Sequence, residues 1–190
     1  MYTFSGLAAM VAAAGEYYGK TLAMGTAVLD SWLDAIAKGY TTYVIDDKEQ
    51  ARIISTFKNL WPNKDGDPTA AFIGCPHNTY HEVIKWGKLV SEALDKAGKT
   101  EAAIPVYMFM PNKVRDRAIE ENGELISKMK RAGMHATNMC SVSYAGMKGF
   151  SERVRGVTNS AKTRNYSTIR YFSDDVLVKI IVTGKIPKGA

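Results

Sequence analysis

Cysteine is scarce in this chain: there are only two copies, Cys75 and Cys140, far apart in the sequence. That excludes a disulfide framework and favours a reducing, cytoplasmic setting. No stretch is long and apolar enough to cross a bilayer, so a membrane span is not expected. The opening "MYTFSGLAAMVAAAGEYYGK" has no basic leader and soon meets Glu16 and Lys20. It reads as a small-residue buried helix, not a signal peptide. Internal repeats and low-complexity segments are absent as well. What remains is 190 residues, 46% of them hydrophobic, with both signs of charge interspersed. Such a chain suits one globular domain with a sizeable core, or a domain with an appended subdomain, and not a disordered segment.

Acidic residues run short toward the end. From Ser141 onward the bases are Lys148, Arg153, Arg155, Lys162, Arg164, Arg170, Lys179, Lys185 and Lys188, against Glu152, Asp174 and Asp175. The net charge of the whole chain is +6. A basic half of this kind fits a nucleic acid, an anionic small molecule, an acidic partner subunit, or a solvated basic face.

Residues 4–14 and 19–38 are expected to be helical, and "TTYVID" (41–46) to be a short strand. Over 47–61, Ile53, Ile54, Phe57 and Leu60 recur at helical spacing behind an Asp46 or Asp47 cap. The turn-rich "PNKDGDP" (62–68) divides a helical amino-terminal portion, 1–66, from an α/β domain, 67–190. In the second part strands are expected at 69–74, 103–110, 134–142 and 153–158. Helices are expected at 81–98, 114–133 and from Ser160 through about Phe172, with 175–184 a strand or a last helix. This alternation predicts a mostly parallel sheet with helices on its flanks.

Open sheets of this class bind ligands outside the carboxyl ends of their strands. Three unusual stretches fall there: "GCPHNTYH" after 69–74, "NMCSVSYAGMKG" near the end of 134–142, and "TNSAKTRNY" after 153–158. In the first, Gly74 permits a sharp turn, and a cysteine near a helix start has its thiolate favoured by the dipole. Cys75, His77 and His81 are a possible zinc triad, but their spacing matches no standard zinc pattern. A buried cysteine at a tight turn beside an exposed His81 accounts for the same residues. Cys140 alone reads as a core residue and gains interest from its place at a second strand end. In the third, Thr158, Asn159 and Ser160 are good helix caps whose free N–H groups favour an anion, with Lys162 and Arg164 adding charge.

These motifs, in this order, resemble aconitase X, a branch of the aconitase superfamily. "IGCPHNTYHEV" is similar to its Gly-Cys-Pro-His segment, and "MHATNMCSV" to its later cysteine segment, where Asp-Thr-Cys is more usual. "GVTNSAKTRNY" is similar to its Thr-Asn-Ser-(Ala/Gly)-Lys segment followed by a tyrosine. The resemblance runs over residues 70–184. It implies an aconitase-like three-layer domain from the carboxyl-terminal part of the large, catalytic subunit.

The family's members are hydro-lyases that dehydrate small hydroxy acids, cis-3-hydroxyproline in one branch and phosphomevalonate in another. The resemblance implies Cys75 and Cys140 as ligands of an iron or iron–sulfur centre: mononuclear, 2Fe–2S or 4Fe–4S. It implies Asn159, Ser160, Lys162 and Tyr166 at an anionic substrate, with His77 and Lys162 in catalytic roles. Two cysteines stand where the family uses three, and the amino-terminal part of the large subunit is not matched. The resemblance therefore implies a partner chain carrying that part, and a small swivelling-domain subunit. Neutral Thr137, Asn138 and Met139 stand before Cys140 where an acid is usual, which favours a second reading, a non-catalytic binding or assembly module. Nucleic-acid binding is a third, disfavoured because no aromatic-rich basic RNA motif is present.

Overall fold

The structure, a computed structural model, describes residues 46–189. Residues from Asp46 onward form one compact unit. The helices expected at 4–14 and 19–38 lie outside the described residues, as does the strand expected at 41–46 except for Asp46. Asp46 caps helix α1 (Asp47–Ser55) by accepting a hydrogen bond from the Glu49 N–H at 2.8 Å. Helix α1 is shorter than the expected 47–61. Ser55 and Thr56 turn their hydroxyls back onto the Arg52 and Ile53 carbonyls, which competes with further helix. The chain beyond then packs by its aromatics: Trp61 is buried, and Phe57 meets Tyr171 edge-on at 5.7 Å.

Five parallel strands follow: β1 (Ala70–Ile73), β2 (Val106–Phe109), β3 (Met134–Thr137), β4 (Gly156–Thr158) and β5 (Arg170–Tyr171). Their spatial order is β3-β2-β1-β4-β5. Phe72 of β1 registers with Tyr107 on one side and Thr158 on the other. All four residues of β1 are buried because this central strand is covered on both faces. The expected mostly parallel sheet with flanking helices is therefore present.

One face carries helices α2 (Tyr80–Lys96), α3 (Asn112–Arg131) and α7 (Asp174–Thr183). Along α2 the buried Val83, Trp86, Gly87, Val90 and Leu94 form a single stripe, and its amino terminus closes with a Thr79–Glu82 capping box. A side chain at Gly87 would meet Met129 Sδ at 2.5 Å, so glycine lets α2 and α3 approach. Helix α3 departs from helical geometry at Asn122, whose amide donates to the Tyr80 hydroxyl at 2.7 Å. The stripes of these helices meet Ala71, Ile73, Val106, Met108 and Val157 of the sheet in one large core. The other face is smaller and aromatic: Ala70, Phe72, Phe109 and Ile169 pack with Tyr144 and Phe150. Those last two lie on the short helices α4 (Ser141–Ala145) and α5 (Phe150–Arg153). Helix α6 (Ala161–Asn165) joins β4 to β5.

Three further elements differ from expectation. The strand expected over 134–142 stops at Thr137, where pairing with β2 runs out and Thr137 Oγ1 accepts the Met139 N–H in a turn. The strand expected over 153–158 begins only at Gly156, because Phe150–Arg153 is a helical turn. The helix expected from Ser160 to Phe172 spans only Ala161–Asn165, after which the chain enters β5. Of the two readings of 175–184, the last helix is the one found, with Asp174 and Asp175 in its first turn and Gly184 (φ +74°) at its end.

Candidate active site at the carboxyl edge of the sheet

From β1 the chain winds outward through β2 to β3, then returns to add β4 and β5 on the other side of β1. With right-handed crossovers such a reversal moves the connection to the opposite face, where Tyr144 and Phe150 are found. The β1/β4 boundary is thus the topological switch point, the place where sheets of this class open a crevice at their carboxyl ends. The loop carrying Cys75 leaves β1, and the Asn159–Ser160 pair leaves β4.

Gly74 turns the chain out of β1 at φ +110°. A side chain there would fall on Asn78 Nδ2 and lie 2.5 Å from the Phe109 carbonyl. Asn78 is buried and holds the loop to two strand ends. Its backbone N–H reaches Phe109 O at 2.8 Å, and its amide reaches Ile73 O at 3.1 Å and Phe109 O at 3.0 Å. Cys75 is a free, half-buried thiol, joined to Pro76 by a cis peptide. At the start of α2 the Glu82 carboxylate takes up the Thr79 N–H and the Thr79 hydroxyl takes up the Glu82 N–H.

Hydrogen bonds tie the three strand-end loops together. His77 Nε2 donates to Asn138 O at 3.3 Å. A carbonyl only accepts, so in the neutral ring the proton sits on Nε2 and Nδ1 is left as an acceptor. Ser160 Oγ donates to the Cys75 carbonyl at 2.5 Å and accepts the Thr163 N–H at 3.1 Å. The Ser141 and Thr163 hydroxyls share a buried hydrogen bond of 3.0 Å. The loops after β1, β3 and β4 therefore form one assembly.

Cys140 is exposed and stands at the N-cap of α4, three residues beyond β3, not within a strand. The Ser143 backbone N–H pulls its thiol below the ordinary range. The Val142 N–H, the Ser143 side chain and the Lys162 charge add to that pull, against a smaller opposing effect of desolvation. Lys162, on α6, is exposed and makes no ion pair among the described residues. Tyr166, the residue closing α6, is 68% exposed. His81 is exposed on α2, with its ring edge-on to Tyr80. Among the described residues no group of three or more His, Cys, Asp or Glu side chains is arranged to hold a metal ion, so the Cys75–His77–His81 zinc triad is not formed.

Two contributors were not singled out from the sequence. One is Asn78, which follows Gly74 and Pro76 in the same loop. The other is Asp174, whose Oδ1 accepts from Asn159 Nδ2 at 2.9 Å while Oδ2 meets Lys85 Nζ at 3.2 Å. Nothing local in the sequence links Asp174 to Asn159. Arg164, expected beside an anion, is buried instead, donating to Lys58 O at 2.6 Å and lying over Phe57. Arg155 donates to Asp67 O at 2.6 Å, and Arg170 lies over Trp61 and Phe172. Three of the bases in the carboxyl-terminal half are thus turned onto the protein itself. An apolar cleft of about 330 Å³ between α3 and β3, rich in methionine, shares no lining residue with the three loops.

No protein-family model and no curated protein matches the chain. Among solved structures, the holo-form of aconitase X from Thermococcus kodakaraensis matches with a TM-score of 0.53 and 20% identity. The match covers 77% of this chain and 36% of that one, so this chain spans about a third of its length. The chain has an aconitase X-like fold.

Proposed function

We propose that this chain is a subunit of an aconitase X-type hydro-lyase. It would remove water from a small hydroxy acid, of the hydroxyproline or phosphomevalonate class, at an iron or iron–sulfur centre shared with partner chains. The observation that carries the reading is the joining of the Cys75, Cys140 and Asn159–Lys162 loops by hydrogen bonds at the switch point of the sheet. The fold of aconitase X supports it.

The donor set suits an iron centre only in part. Two free thiols are the soft ligands such a centre takes. A third donor is not grouped with them among the described residues, so another chain would supply the rest. The partial coverage of the aconitase X chain agrees with that division. Cys75 and Cys140 would be this chain's ligands, and bound iron would supply a Lewis acid for the departing hydroxyl.

This chain's other residues have separable tasks. Lys162, exposed and without an ion pair among the described residues, holds the substrate's carboxylate or phosphate and stabilises the charge that grows there as the neighbouring carbon loses its proton. His77 is fixed by Asn138 and keeps Nδ1 free to take a proton or to orient a ligand. Asn159 and Ser160 lie on the substrate side of β4, with the Ser160 hydroxyl also setting the position of Cys75. Tyr166 stands exposed at the rim, available to substrate. The small swivelling-domain subunit would close the crevice from outside.

A second reading, a non-catalytic assembly module, is favoured by the neutral Thr137–Met139 stretch before Cys140 and by the count of two cysteines. The two separate in one experiment. The native complex, purified through this chain, is supplied with cis-3-hydroxyproline and with phosphomevalonate, and loss of water is followed. The hydro-lyase reading expects turnover that Lys162→Met and Cys75→Ser abolish. A complex that dehydrates neither acid, or variants as active as the parent, supports the module.

A further inference from the structure

The amide of Asn159 has a fixed orientation, and Asp174 fixes it. Asp174 is the first residue of α7, behind the Ser173 cap, and its carboxylate lies between Asn159 Nδ2 at 2.9 Å and Lys85 Nζ at 3.2 Å. A carboxylate that accepts from an ammonium is ionised and can only accept. The nitrogen of the Asn159 amide, not its oxygen, must therefore face Asp174, which removes the usual ambiguity of an amide flip. The Asn159 oxygen has no hydrogen-bond donor among the described residues and is not among their buried unpartnered atoms. It is an open acceptor. The next residue, Ser160, is held from the other side by the Cys75 carbonyl at 2.5 Å. The pair leaving β4 is thus pinned at both ends, one to α7 and α2, the other to the cysteine loop.

We infer that Asp174 is a positioning residue that makes Asn159 present a carbonyl oxygen to the crevice, so that this point of the site receives a hydroxyl group of the ligand and not its carboxylate. The inference rests on the hydro-lyase reading for its ligand class and divides the labour within it. The anionic group goes to Lys162, exposed on α6 three residues beyond Asn159. The hydroxyl goes to Asn159. An amide whose N–H faced the crevice would favour an anion and discriminate poorly between a hydroxy acid and its deoxy counterpart. An open acceptor favours the hydroxy acid by about one hydrogen bond, roughly tenfold in affinity.

The test uses the purified complex with the chain labelled at asparagine nitrogen. The Asn159 side-chain amide is followed by ¹H–¹⁵N spectroscopy while cis-3-hydroxyproline or phosphomevalonate, and the deoxy counterpart of each, is titrated. The parent is expected to prefer a hydroxy acid by about tenfold. Asp174→Asn is expected to shift the Asn159 amide signals and to bring that preference close to unity, with Asp174→Glu restoring part of it. An unshifted amide and an unchanged preference in Asp174→Asn overturn the positioning role. Equal binding of hydroxy and deoxy acids by a parent that still dehydrates substrate overturns the ligand assignment alone. Binding of neither acid, with no water loss, overturns the hydro-lyase reading and the ligand assignment together. In that case the spectrum of Asp174→Asn still decides whether Asp174 orients the amide.

Discussion

Replacing Gly74 by alanine should loosen the candidate site and weaken the whole unit, and the size of the effect follows from two separable causes. The first is the backbone: φ is +110° at this position, and holding a non-glycine residue at such an angle costs about 1–3 kcal/mol. The second is Asn78. The new methyl group would fall on Asn78 Nδ2 and 2.5 Å from the Phe109 carbonyl, so the buried amide must move. Moving it breaks the bonds to Ile73 O and Phe109 O at 3.1 and 3.0 Å, each worth about 1 kcal/mol. The expected loss is about 3–5 kcal/mol, a large share of the stability of an ordinary domain. Gly98 is the control, since its φ is +65° but a side chain there meets nothing within 4 Å. Gly98→Ala should cost only the backbone component. Urea unfolding, followed by the emission of buried Trp61 and Trp86, measures both variants. Equal losses at the two glycines would refute the role assigned to Asn78. A loss below about 1 kcal/mol at Gly74 would refute the backbone component as well.

Other outcomes follow from the same contacts. Ser160→Ala removes both the cap of α6 and the hydrogen bond to the Cys75 carbonyl. It should cost about 1–2 kcal/mol in urea unfolding and speed the reaction of Cys75 with a thiol reagent. Alkylation of Cys140 should reach half its maximal rate at a lower pH than an ordinary thiol does. The Ser143 and Val142 N–H groups and the Lys162 charge favour the folded chain's thiolate, so the reactive form persists as pH falls through the usual thiol range. Lys162→Met removes one of these influences and should move the midpoint upward, which rapid alkylation across pH detects. Leu177→Ala opens a cavity beneath α7, where Leu177 is fully buried, and should cost about 2–5 kcal/mol in the same unfolding measurement.

The fold was largely legible in the sequence, because its signals are local. The alternation of short apolar runs with helical stripes identifies a parallel sheet without any knowledge of strand order, and the stripe of Val83, Trp86, Val90 and Leu94 is plain by spacing alone. The boundaries were less legible, since tertiary partners set them. Strand β3 stops at Thr137 because its neighbour β2 stops at Phe109. Helix α6 stays short because the chain must enter β5. In the site, Cys75, His77 and Ser160 stand out by residue type. Asn78 and Asp174 do not, because what matters about them is a contact across the fold. Asn159 and Asp174 lie fifteen positions apart, and Lys85 and Asp174 eighty-nine, with no pattern between them. Arg164 misleads in the opposite sense: a base beside a helix cap suggests an anion, yet its guanidinium is buried on Lys58 O.

The central claim is that this chain supplies two thiolate ligands to an iron site completed by another chain, and iron content tests it most directly. The native complex, purified anaerobically through this chain, is analysed for iron alongside its Cys75→Ser and Cys140→Ser versions. Assembly is checked in each by subunit stoichiometry. The account predicts iron in the parent complex, little or none in either variant, and none on this chain purified alone. Full iron in an assembled complex of either variant would contradict it.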